Sequence, residues 1–120
     1  MVQKTKQEIR HRILDLIYHQ TEEAALHKSR IICAKLLALT VFQKASTVLF
    51  YSSFKGEVNT FPMMEKAIEF KKRVAVPIVQ KETKKIVVML IESTKELISG
   101  SYGIPEPRFD AAKAFAPSDL

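Results

Sequence analysis

Apolar side chains at Ile9, Ile13, Leu16 and Ile17 recur at the three- and four-residue spacing of a helix, with Lys6, Arg10 and Arg12 elsewhere on the wheel. The spacing predicts a first amphipathic helix ending near Tyr18. Thr21 then has the character of an N-cap, followed by Glu22 and Glu23, where the positive end of a helix dipole favours carboxylates. A second helix is expected to run to about Phe42 and to bury Ile32, Leu36 and Leu39. The pattern then changes. "STVLFYS" is short, β-branched and aromatic, and apolar on consecutive positions, as expected of a parallel strand covered on both faces.

Thr60 followed by Phe61 and Pro62 predicts a helix start, because proline is tolerated in the first turn. That helix would present Met63, Met64, Ala67, Ile68 and Phe70. "RVAVPIV" and "KKIVVMLI" are two further strands, joined by the charged turn "QKETKK" as a hairpin. Ser93 with Glu96 three residues on is a capping box for one short helical turn. "SGSYGIPEPRFD" holds two of the three glycines and two of the five prolines, and so reads as a loop with fixed bends. Alternating helices and strands predict an α/β layer architecture in one domain, residues 1–120, with a mainly parallel sheet flanked by helices.

Composition narrows the class. The chain of 120 residues is 47% hydrophobic and 27% charged, values of an ordinary globular protein with one core. Runs such as "IVVMLI" fall far short of the roughly 20 apolar residues a bilayer needs, and "MVQKTKQEIRHR" is too charged for a signal-peptide core. A cytoplasmic protein with no membrane contact is expected. One cysteine, Cys33, allows no internal disulfide, and its helical setting predicts a buried, inert thiol. The net charge of +6 suits a solvated basic face, a small anionic ligand or a nucleic acid. Because the basic residues lack interleaved aromatics and there is no Trp, no nucleic-acid partner is expected.

Three stretches could carry chemistry. The first is "YSSFKGEVNT", residues 51–60, which sits at a strand end, where open α/β sheets bind ligands. Glu57 lies there one residue after Gly56. Its carboxylate either supports the following helix, pairs with Lys55, or accepts two parallel hydrogen bonds from a planar donor pair such as that of a pterin or guanine. The second is "KQEIR", which places Lys6 and Arg10 on one helix face at i and i+4. These are two ordinary exposed cations, or a pair whose slight mutual repulsion an intervening phosphate relieves. In the third, "YGIPEP", Gly103 permits a positive φ and the prolines hold Glu106 on a stiff loop. His11, His19 and His27 have no ligand spacing, so no protein-held metal is expected in this stretch. The phosphate and dinucleotide fingerprints and the nucleophile elbow are absent.

In this order, "KQEIR", "SRIICAKLL", "VLFYSSFKGEVNT", "RVAVPIV" and "YGIPEP" resemble the 5-formyltetrahydrofolate cyclo-ligase (5,10-methenyltetrahydrofolate synthetase) family across essentially the whole chain. The resemblance implies an ATP-dependent cyclisation of 5-formyltetrahydrofolate. In that reaction the formyl oxygen attacks the γ-phosphate, N10 closes on the activated carbon, and phosphate leaves to give 5,10-methenyltetrahydrofolate. It further implies that Lys6 and Arg10 contact ATP phosphates, that Glu57 binds the folate, and that Tyr51 and Ser52 make the neighbouring substrate contact. The loop at residues 102–107 matches a family segment near the folate pocket, and no catalytic residue is assigned.

Family members continue with a strand and a glycine-rich "RLGxGxGYYD"-type segment that holds nucleotide and Mg2+, and no such segment occurs here. The chain is therefore expected to carry the folate half of the site and a fringe of the ATP half. Little or no activity of its own follows, which leaves a partial gene product or a non-catalytic folate- or nucleotide-binding module as the alternative. A monomer is expected, with the open strand edge offering a route to self-association.

Overall fold

A computed structural model describes residues 5–54, 57–100 and 103–115. Helix α1 (Lys6–His19) starts where Thr5 and Glu8 exchange side-chain-to-backbone bonds of 3.2 and 3.1 Å, a capping box. Thr21 caps helix α2 (Glu22–Ala38) through the Ala24 N–H at 3.1 Å, as its position in the sequence suggests. That helix ends earlier than expected. Leu39 is extended, and a separate short helix α3 (Thr40–Lys44) follows. The break turns Phe42 into the core, while Leu39 and Ile32, expected inside, stay 54% and 41% exposed.

Strand β1 (Thr47–Leu49) pairs in parallel with β2 (Arg73–Gln80), the crossover being helix α4 (Phe61–Glu69). Strand β3 (Lys85–Ile91) then returns antiparallel to β2, with Val76 opposite Met89 and Gln80 opposite Lys85. The expected hairpin is present. The sheet, in order β1-β2-β3, is therefore mixed, with one parallel and one antiparallel pair.

Side chains alternate between the faces of a strand, and residues directly opposite each other share a face. Val48, Val74, Val76 and Ile91 therefore lie together on one face, joined by Phe50 and packed against Met63, Met64 and Ala67 of α4 and Phe42 of α3. Cys33, Leu36 and Leu37 of α2 close this core, the Cys33 thiol being half-buried where full burial was expected. The opposite face carries Leu49, Ala75, Pro77, Val79, Ile86, Val88 and Leu90. Leu49 is 56% and Ile86 70% exposed, so β1 is not covered on both faces. Its apolar run reflects burial on one face only.

Phe115 N–H bonds Val88 C=O at 2.8 Å and Ala114 bridges to Met89, so residues 114 and 115 lie along the outer edge of β3. Ser93 and Glu96 form the anticipated capping box on a 3-10 turn, Thr94–Glu96. The segment read as a loop is in part a ribbon, in which β4 (Ile98–Ser99) pairs antiparallel with β5 (Pro105–Glu106). The loop pattern hid two residues of pairing on each side. Helix α1 buries none of its residues, and its apolar stripe, Leu16 included, is open to solvent.

Candidate functional site

The turn after β1 is built by its own side chains. Thr60, at the expected start of α4, donates its hydroxyl to Tyr51 C=O at 2.8 Å and accepts from Ser53 N–H at 3.2 Å. Ser53 Oγ in return accepts from Thr60 N–H at 3.3 Å. This reciprocal pair is buried and fastens the two ends of the turn together. With Thr60 occupied, Asn59 serves the helix start instead, its Oδ1 accepting from Phe61 N–H at 3.2 Å. Asn59 N–H in turn bonds Ser29 Oγ at 3.0 Å, tying the turn to α2.

Glu57 sits at the tip. Its Oε1 accepts the Phe54 N–H at 2.7 Å, and its own N–H bonds Phe54 C=O at 3.0 Å, so the two residues are joined twice. The carboxylate is exposed, and Oε2 has no hydrogen-bond partner among the described residues. Lys55, one of its expected partners, lies outside the described residues. Burial raises the Tyr51 phenol pKa, and the nearby Glu57 charge raises it further. The phenol donates to Val58 C=O at 3.4 Å. Ser52 is buried with its Oγ lacking a partner among the described residues. Thr47 Oγ1 is in the same condition, so an orphan hydroxyl on this strand is not by itself specific to a ligand.

Tyr51, Ser52 and Glu57 thus share one turn at the carboxyl end of β1. Lys6 and Arg10 lie on α1, both exposed and neither ion-paired with a described residue. Among the described residues no group of three His, Cys, Asp or Glu side chains could hold a metal ion, and no helix is long and apolar enough to cross a membrane.

The "YGIPEP" loop meets the turn. Gly103 has φ +73°, the left-handed conformation glycine tolerates, and a Cβ there would touch the Phe54 ring at 3.6 Å. Tyr102 lies outside the described residues. Beyond Gly103 a cleft of about 500 Å3 opens between the β2–β3 hairpin and the β4–β5 ribbon, at the same carboxyl end of β2. Lys81, Arg108 and Phe109 on its wall were not singled out in the sequence. The available signal was charge at the hairpin turn and an Arg-Phe pair directly after the proline-braced loop.

Gly100 shapes this cleft, because a Cβ there would overlap Cγ and Cδ of Glu106. Gly100→Ala is expected to displace the flexible Glu106 side chain across the cleft while changing stability by no more than about 1 kcal/mol. Chemical denaturation of the two proteins measures the difference.

A model of the 5-formyltetrahydrofolate cyclo-ligase family matches residues 2–118. The NMR structure of a 5,10-methenyltetrahydrofolate synthetase from Aquifex aeolicus is similar at a TM-score of 0.81 and 27% identity, over 96% of this chain and 57% of its own. A second such synthetase, from Mycoplasma pneumoniae, shares the fold at a TM-score of 0.62 and 23% identity, over 75% of this chain and 56% of its own. The chain thus spans less than two thirds of the length of either relative. No curated protein matches it.

Proposed function

Because the chain belongs to the 5-formyltetrahydrofolate cyclo-ligase family, we propose that it binds 5-formyltetrahydrofolate and contributes to its ATP-dependent closure to 5,10-methenyltetrahydrofolate, with release of ADP and phosphate. The observation that carries this reading is the braced turn at residues 51–60. It presents the Glu57 carboxylate, one oxygen of which has no described partner, at the strand end where α/β sheets take ligands. Glu57 would accept the ring N–H and amino group of the pterin, a fork of two charge-assisted bonds. Tyr51 and Ser52 would line the same edge. Lys6 and Arg10, one helical turn apart, would neutralise ATP phosphates, since phosphoryl transfer depends chiefly on positioning and charge stabilisation.

Magnesium would enter with the ATP phosphates, since that ion is usually held by one or two carboxylates together with the phosphates themselves. The 120 residues form one domain in this reading, equivalent to the N-terminal part of the family's α/β domain, and act as a cytoplasmic monomer. A second reading follows from the 57% coverage of the Aquifex protein and from the absence of any glycine-rich phosphate loop in the sequence. In it the chain by itself binds folate but turns over little, because preorganised charge at the transferring phosphate is worth several kcal/mol of transition-state stabilisation.

Calorimetry with 5-formyltetrahydrofolate and ATP separately, alongside an assay for the methenyl product with ATP and magnesium, tests both statements. Folate binding with weak ATP binding and little turnover is the expected result. Absence of folate binding would overturn the folate reading, and turnover near that of a full-length relative would overturn the expectation of low activity.

A further inference from the structure

Helix α2 turns one face to the core, where Cys33, Leu36 and Leu37 pack, and Ser29 lies on that face one turn before Cys33. Ser29 is 6% exposed and is the one buried residue of the helix. A serine there is a poorer helix former than alanine, and a buried hydroxyl needs a partner. The partner is the Asn59 N–H, which Ser29 Oγ accepts at 3.0 Å. Asn59 stands two residues after Glu57, and Ser29, Asn59 and Glu57 border one cavity of about 300 Å3 with Ala25 and Leu26 of α2. The two ends of the turn are held differently. Ser53 and Thr60 fasten the Tyr51 end to the start of α4, whereas the Glu57 end is joined to Phe54 and, through Asn59, to Ser29.

A carboxylate that grips a planar donor pair must be held close to the plane and distance of that pair before the ligand arrives. Resting on the folate reading above, we propose that Ser29 is a positioning residue, whose bond to the Asn59 N–H fixes Glu57 against α2 in the orientation that receives the substrate. Ser29 touches no ligand in this role and acts through Glu57. When a pterin engages both oxygens of Glu57, the Phe54 N–H has to share its acceptor. The bond from Asn59 to Ser29 is a tie for which the ligand does not compete. Its anchor is rigid, because the same face of α2 is packed on the core through Cys33, Leu36 and Leu37. Without that bond the Glu57 end of the turn is ordered at the moment of binding, and the cost comes out of the affinity.

The experiment is a double-mutant cycle read by calorimetric titration with 5-formyltetrahydrofolate, on the unmodified chain, Ser29→Ala, Glu57→Gln and the two changes together. Ser29→Ala is expected to weaken folate binding by about three- to tenfold, the scale of one hydrogen bond, and to have no further effect once Glu57 is replaced. Ser29→Cys, which nearly keeps the volume but accepts weakly, should give the same loss. Cys33→Ala, one turn along the same face, is the control for a purely structural role. It should lower the unfolding midpoint and leave folate affinity unchanged. Unchanged affinity in both Ser29 variants would overturn the inference, as would a Ser29 loss that persists in full beside Glu57→Gln or an equal loss in Cys33→Ala. In each of those cases the folate reading stands. An unmodified chain that binds no folate, or a Glu57→Gln chain that binds it unchanged, would remove that reading and this inference with it.

Discussion

Glu57→Gln is expected to weaken binding of 5-formyltetrahydrofolate by on the order of 100-fold while leaving the fold intact, from the loss of hydrogen bonds to a charged acceptor. The substitution is informative because Glu57 has two tasks. One oxygen accepts the Phe54 N–H and closes the turn, and a glutamine oxygen can do the same. The second oxygen is the one available to a ligand. In glutamine it becomes an NH2 group, which sets donor against donor at a pterin edge. The local structure survives and the recognition does not. Glu57→Ala removes both tasks, so it should lower folate affinity and loosen the 51–60 turn together. Calorimetric titration of the three proteins, with unfolding curves alongside, separates the two effects. A Gln variant within about twofold of the unmodified affinity would place the pterin elsewhere, since a lost charged bond costs far more than that.

The same turn shows how much a sequence discloses. Strand, glycine, carboxylate and helix start were legible, because each is a local preference with a local cause. The partner of Glu57 was not legible, since it is a backbone N–H three residues earlier and no periodicity marks such a bond. The exchange between Ser53 and Thr60 was hidden for a similar reason. Both residues suit a cap, and only the closed turn reveals that Thr60 spends its hydroxyl on Tyr51 and leaves capping to Asn59. The hairpin of β2 and β3 was plain from two apolar runs around a charged turn. The split of the second helix was not, because helix-compatible residues run through Leu39 and the demand that broke it there is the burial of Phe42.

The uncovered surfaces illustrate a further limit. A stripe such as Ile9, Ile13 and Leu16 states that a helix has an apolar side, and says nothing about what lies against it. In the structure this side is open, as are Leu49 and Ile86 on the second face of the sheet. The relatives carry a large share of chain that this one does not match. Pattern alone overstates the core here, because it counts every apolar stripe as buried. The distinction between stripes that are covered and stripes that are not has a measurable consequence.

Met64→Ala is expected to destabilise the protein by about 2–5 kcal/mol, whereas Ile13→Ala should change stability by no more than about 0.5 kcal/mol. The two residues are alike in sequence terms, each an apolar position on the inner stripe of a helix. Met64 is fully buried between α4 and the sheet, in the cluster with Phe50, Val74 and Val76. Its truncation removes apolar contact and leaves a cavity that surrounding strands cannot collapse to fill. Ile13 is 50% exposed on a helix that buries nothing, so its loss costs little more than a small difference in helix propensity. For a domain of this size the Met64 change corresponds to a fall in melting temperature on the order of 10 °C. Met64→Leu, which nearly conserves volume, should restore most of that loss. Thermal and urea unfolding of the three variants measures the contrast. If Ile13→Ala proved as costly as Met64→Ala, helix α1 would be packed against a core that this arrangement leaves exposed. The placement of Lys6 and Arg10 would then have to be redrawn with it.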